Sequence, residues 1–169
     1  MNEEQVEFLI PWDFIAPRVT LTPEELVMGY HRGWINSGAA VALALEWYQA
    51  GRILESEEEA LALLLSNNLD RVPDLIGAIR RRRAPKNDDS LVWQYLTLAW
   101  IHEHQSEFID LFVVVEMLWS GFGYPESWSG LIRYLPPPLG EVPLGVNGIM
   151  TRWRIYIESE GAKFRNRPA

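Results

Sequence analysis

The chain has 169 residues, 48% hydrophobic and 22% charged, an ordinary globular mix for one domain. It contains no cysteine and three histidines. That excludes disulfides, thiol nucleophiles, iron–sulfur clusters and thiolate zinc sites, and leaves little for a multi-histidine metal site. A net charge of −8 argues against whole-surface nucleic-acid binding and for solubility or a basic partner.

The chain opens on Met1-Asn2-Glu3-Glu4, acidic where a signal peptide wants positive charge. Its longest strongly apolar uncharged stretch, from Gly33 to Leu45, has 13 residues. A membrane helix needs roughly 18 or more. The expectation is a cytoplasmic protein with no membrane partner and no cofactor.

Residues 1–20 read as an extended docking segment, because Pro11 and Pro17 interrupt it and no helical period is present. Thr22, Pro23 and Glu25 then form a helix start with a capping box. That helix runs to about Tyr30, and Gly33 ends it. A helix from Ser37 places Val41, Leu45 and Tyr48 on one face, with Gly51 as its stop. Ser56 with Glu59 gives a second capping box, predicting a helix through Leu65 that Asn67-Asn68 breaks. Pro73 opens another, ending in Arg80-Arg81-Arg82-Arg83. Caps among Asn87 to Ser90 start a helix from Leu91 to about His104.

Residues 108–119 are apolar almost all round, which predicts a central buried helix. Gly121, Gly123 and Pro125 make a turn, and a short helix follows near Ser127 to Tyr134. Pro136-Pro137-Pro138 begins a Pro/Gly-rich loop over 136–146. Asn147 caps a last helix with Ile149, Trp153, Tyr156 and Ile157 inward. The fold class is all-α: one compact bundle of about eight helices in a single domain over 1–169, with no alternating strand pattern and short connections.

Charge is uneven along the chain. Residues 1–70 hold 3 basic and 12 acidic side chains, a net of −9, whereas residues 149–169 hold 5 and 2, a net of +3. Glu55, Glu57, Glu58 and Glu59 gather at a helix start. One or two of them compensate the macrodipole. Four together also suit an electrostatic hook for a basic partner, which Asp13, Glu24 and Glu25 would extend. The run Arg80 to Arg83, with Lys86, resembles a phosphate-binding patch. It also sits at a helix C-terminus, where cations are favoured, and it can pair with the chain's own carboxylates.

The remaining chemistry is sparse. His102 and His104 diverge by about 200° on a helix, so they cannot grip one metal together. Asp110 and Glu116 lie about 240° apart and make no catalytic pair on one face. Glu116 is expected in a buried structural ion pair with Arg133, where losing one partner costs roughly 3–5 kcal/mol. Eight tryptophans are spread over every segment. Most belong to the core, while Trp12 and Trp128, in irregular segments, are expected at the surface as partner-binding anchors.

Three stretches carry a resemblance. The first is Leu21-Thr22-Pro23-Glu24-Glu25 followed by Gly29-Tyr30 and Gly33-Trp34-Ile35. The second is Trp93-Gln94-Tyr95-Leu96 with Trp100-Ile101. The third runs from Val115-Glu116-Met117-Leu118 through Phe122-Gly123-Tyr124-Pro125-Glu126 to Arg133-Tyr134-Leu135-Pro136. Together they resemble, over residues 8–160, a bacterial family catalogued as a domain of unknown function. The motifs are of packing and turn type and bring no catalytic residue with them. The resemblance implies acidic residues near positions 121 and 123, where this chain has Gly121-Phe122-Gly123, which weakens any catalytic carboxylate there.

In type, a small acidic cysteine-free helical protein resembles bacterial immunity proteins. The resulting expectation is a non-enzymatic protein that binds and neutralises a cognate toxin, a basic nuclease-like one. The alternatives are a small helical enzyme using Glu116 with Arg133 or the His102 region, and a helical adaptor without a toxin partner.

Overall fold

The computed structural model describes residues 8–136 and 145–168. They form an all-helical protein, with no strand among the described residues. The helices are α1 (Trp12–Ile15), α2 (Pro23–His31), α3 (Ser37–Gln49), α4 (Ser56–Ala62), α5 (Val72–Arg82), α6 (Ser90–Glu103), α7 (Leu111–Gly121) and α8 (Gly145–Arg165). Residues 1–7 of the expected docking segment and 137–144 of the expected Pro/Gly-rich loop lie outside the described residues. The described chain divides into two compact units, one of residues 8–93 with 164–168, the other of 94–136 with 145–163.

In the N-terminal unit α3 is the hub, packing against α1, α2, α4 and α5. Its buried face is Ala39, Ala40, Leu43, Ala44 and Trp47. The expected face was a third of a turn away. Val41 and Leu45 are half-buried, and Tyr48 is exposed. The indole decides this: buried Trp47 needs an acceptor for its N–H, and finds the carbonyl of Leu21 at 2.8 Å. The alanines beside it let neighbouring backbones come close.

Two more tryptophans lock α2. Trp93 donates to the Glu25 carbonyl at 2.7 Å and stacks on Trp34 with ring centroids 5.4 Å apart. Gly29 makes this possible, since a Cβ there would collide with the Trp93 ring. The N-terminus of α2 has the expected capping box. Thr22 accepts from the Glu25 N–H at 3.1 Å, and Glu25 accepts from the Thr22 N–H at 2.8 Å. Gly33, at φ 77°, lets the chain leave the helix.

The segment expected to be extended holds α1, a single turn too short to show a period. Pro11 fixes its entry at φ −65°, and Phe14 and Ile15 bury its inner side. Helix α4 begins one residue earlier than expected, with Glu55 as N-cap, and ends at Ala62 rather than Leu65. A 3-10 segment, Ser66–Arg71, kinked at Asn68, then leads into α5.

In the second unit the buried helix is α6, not α7. Residues 94–99 of α6, the part that belongs to this unit, are all buried, whereas α7 buries only Val115 and Leu118. Helix α7 starts at Leu111, because Asp110 accepts from the N–H groups of Phe112 and Val113. Trp153 of α8 donates to the Leu98 carbonyl at 3.1 Å. Gly161, one of the buried residues of α8, lies directly against Tyr95. After α7 the chain turns through Gly123 and Tyr124, both at positive φ. A 3-10 turn, Glu126–Leu131, replaces the expected helix at 127–134. Asn147 lies inside α8 instead of capping it. No helix among the described residues is long and apolar enough to cross a membrane.

Candidate functional site

The acidic cluster and the arginine run meet in the N-terminal unit. Helices α4 and α5 pack together, and the start of α4 faces the end of α5. Arg82 closes α5 and Arg83 caps it, positions where the helix dipole favours cations. Arg82 bridges two carboxylates, reaching Glu55 at 3.1 Å and Glu57 at 3.2 Å. Arg83 reaches Glu58 at 3.1 Å, Glu24 of α2 at 3.8 Å and Glu55 at 3.9 Å. Four carboxylates therefore surround two guanidiniums, and the lattice keeps a formal surplus of two negative charges.

The members differ in exposure. Glu55 and Glu59 are exposed, Glu24 and Glu57 half-buried. Glu58 is buried: one oxygen accepts from the Glu55 N–H at 2.8 Å, and the other faces Arg83. It is a structural member of the α4 start, not part of a solvent-facing hook. A carboxylate acceptor for orphan helix N–H groups is most effective when shielded from water, which is why it turns inward. Glu57 has its carboxyl held below the ordinary glutamate value, first by its own backbone N–H, then by the Ser56 hydroxyl and by Arg82 and Arg81.

Four other expected surface residues stand as follows. Asp13 is exposed in the first turn of α1, and Trp12 beside it is 44% exposed. Glu25 is buried. Both its oxygens accept from Arg167, at 2.8 and 2.9 Å, which removes it from any partner surface. Trp128 is 0% exposed and therefore no surface anchor. The 3-10 turn points it inward, against Phe122 and Tyr156. Burial pushes the Tyr156 phenol up from its ordinary value.

In the second unit Arg133 donates to Glu116 at 3.0 and 3.4 Å and to Asp110 at 3.5 Å. The bond to Glu116 raises the Arg133 pKa further. The pair lies at the surface rather than in the core: the Arg133 side chain is 38% exposed and Glu116 20%. His104 stacks on Trp100 and bonds its carbonyl, while His102 meets the edge of Trp153. The two imidazoles thus serve different neighbours, and no group of three metal-ligating side chains occurs among the described residues.

Sequence reasoning missed the role of Arg167 and the pairing of Arg82 and Arg83 with particular glutamates. The only available signal was the basic excess of residues 71–90 and 149–169 beside an acidic front half.

Compared with known proteins, residues 12–161 match the model of a family described as an uncharacterized protein conserved in bacteria. No curated protein matches the chain. No solved structure matches it either.

Proposed function

The chain belongs to the bacterial family DUF2247, and we propose that it is a binding protein without catalytic activity, an immunity protein that neutralises a cognate toxin in the cytoplasm. The observation that carries this reading is the carboxylate lattice at the start of α4. Arg82 and Arg83 hold Glu24, Glu55 and Glu57 in fixed geometry while leaving a negative surplus. Exposed Glu59 adds to it.

Such a surface has much of its ordering cost met before a partner arrives. Side chains frozen on binding cost about 0.5–1.5 kcal/mol each, and intramolecular salt bridges have already restrained these. The residual field favours encounter with a basic partner, as the substrate cleft of a nuclease-like toxin would be. Ile53, fully exposed two residues before Glu55, supplies an apolar contact within the same loop. Arg80 and Arg81, exposed on α5, would sit at the rim.

The test is co-expression with each neighbouring gene whose product is toxic when expressed alone. The reading expects rescued growth and co-purification of the two proteins, with the Glu57→Lys/Glu59→Lys variant protecting less well. A toxin that kills equally with and without the wild-type chain contradicts it.

A further inference from the structure

The second unit carries an exposed aromatic group that the carboxylate lattice does not use. Trp119, near the end of α7, is half-buried, and two tyrosines flank it. The Tyr124 ring stands at 86° to the indole with centroids 4.8 Å apart, and the Tyr134 ring at 62° and 6.2 Å. Among the described residues no ring contact joins the two tyrosines, so each is a separate wall beside one indole. Tyr124 is 60% exposed and Tyr134 65%, which leaves both rings open to a ligand.

The rings are held in place. Trp119 donates its indole N–H to the Pro125 carbonyl at 3.1 Å, and the Ser120 hydroxyl donates to the Tyr124 hydroxyl at 3.2 Å. The chain leaves α7 by a Schellman cap: the Tyr124 N–H reaches the Trp119 carbonyl at 2.9 Å, and Gly123, at φ 78°, is the left-handed residue. That cap needs one left-handed residue. Tyr124 is a second, at φ 60°, and the one non-glycine residue at positive φ among those described. A bulky side chain is strained there. Strain of this kind gathers at ligand sites, and here it sets the Tyr124 ring against Trp119.

We propose that the corner formed by Trp119, Tyr124 and Tyr134 binds the quaternary ammonium group of a small molecule. Aromatic faces are electron-rich and attract cations. Rings set at steep angles enclose a compact cation, whereas a flat sugar or proline ring stacks on one face. The indole N–H, a ready donor to a peptide carbonyl, is already taken by Pro125. A quaternary ammonium has no N–H to satisfy, which suits walls made of ring faces. The local charge also has the matching sign. Residues 94–136 hold five acidic side chains and one basic, a net of −4 with histidine neutral. The basic one, Arg133, precedes Tyr134 but is bonded to Glu116 and Asp110, so the three keep a formal surplus of one negative charge. Glu116 lies three residues before Trp119, hence on the same side of α7.

The experiment titrates the purified chain with choline and with its uncharged tert-butyl analogue at constant ionic strength, by calorimetry. The expected result is saturable choline binding, about tenfold tighter than that of the analogue. Tyr134→Ala, at an exposed position, weakens choline binding about tenfold with helical content unchanged, whereas Tyr134→Phe keeps the ring face and binds about as well as wild type. Tyr124→Gly suits the left-handed backbone, so it keeps the fold while losing affinity. No saturable choline binding, equal affinity for the uncharged analogue, or unchanged affinity in Tyr134→Ala and Tyr124→Gly overturns the proposal. None of these outcomes involves a toxin, so the site stands or falls apart from the immunity reading.

Discussion

Arg167 grips both carboxylate oxygens of Glu25, at 2.8 and 2.9 Å, across 142 residues of sequence. The same Glu25 closes the capping box of α2, so one buried carboxylate ties the last described stretch of the chain to the start of a core helix. Arg167→Ala leaves that carboxylate with only the Thr22 N–H. Breaking a fully buried pair costs roughly 3–5 kcal/mol. Arg167 is 29% exposed, which admits water, so the expected loss is about 2–3 kcal/mol. Urea denaturation measures it, and a loss under about 0.5 kcal/mol would show that the contact contributes little.

Gly29 gives a prediction with the opposite sign to helix propensity. Alanine is favoured over glycine inside a helix by roughly 1 kcal/mol. Here its methyl would enter the space of the Trp93 ring, which is itself fixed by Glu25 and Trp34. Overpacking of this kind typically costs about 1–3 kcal/mol, sometimes more. Gly29→Ala is therefore expected to lower the Tm and to perturb the near-ultraviolet signal of the tryptophans. A stabilised variant would contradict the packing described for α2.

The Glu57 carboxyl is held below the ordinary glutamate value of 4.5. A group with a depressed folded pKa contributes stability above its unfolded pKa and loses it as pH falls through the folded value. The urea midpoints of the wild type and Glu57→Gln should thus differ at pH 7, with the wild type higher. The gap should close on acidification below 4.5. A gap that stays constant from neutral to strongly acid pH would mean that Glu57 gains nothing from its neighbours.

Glu116→Gln should be mild. The Glu116–Arg133 pair is solvent-accessible, and exposed ion pairs contribute typically about 0.2–1 kcal/mol. The 3–5 kcal/mol expected for a buried pair does not apply here. A stability loss within about 1 kcal/mol by denaturant titration fits the observed exposure, and a loss of 3 kcal/mol or more does not.

Local signals were legible in the sequence. The Thr22/Glu25 box, the Pro73 start of α5 and the Gly33 exit each act within a few residues, and each is present. What failed was anything set by tertiary position. Helix α7 is almost wholly apolar yet peripheral, because hydropathy says what an element can bury, not where it sits. Trp128 looked exposed because its segment is irregular, but a 3-10 turn buries a side chain as well as a helix does. The acidic cluster read as free charge, since its cationic partners lie more than twenty residues away. Arg82 and Arg83 become its counterions only when α4 and α5 pack.

The central claim is that the α4 carboxylate lattice steers a basic toxin. It is tested most directly by association kinetics between the chain and a purified toxin against which it protects, from low to high salt. The account predicts a wild-type rate that falls steeply as salt screens the field. Glu57→Lys/Glu59→Lys should associate about tenfold more slowly at low salt and respond less to added salt, with Glu58 left in place because it is buried. Equal rates for the variant and the wild type across the whole salt range would contradict the account.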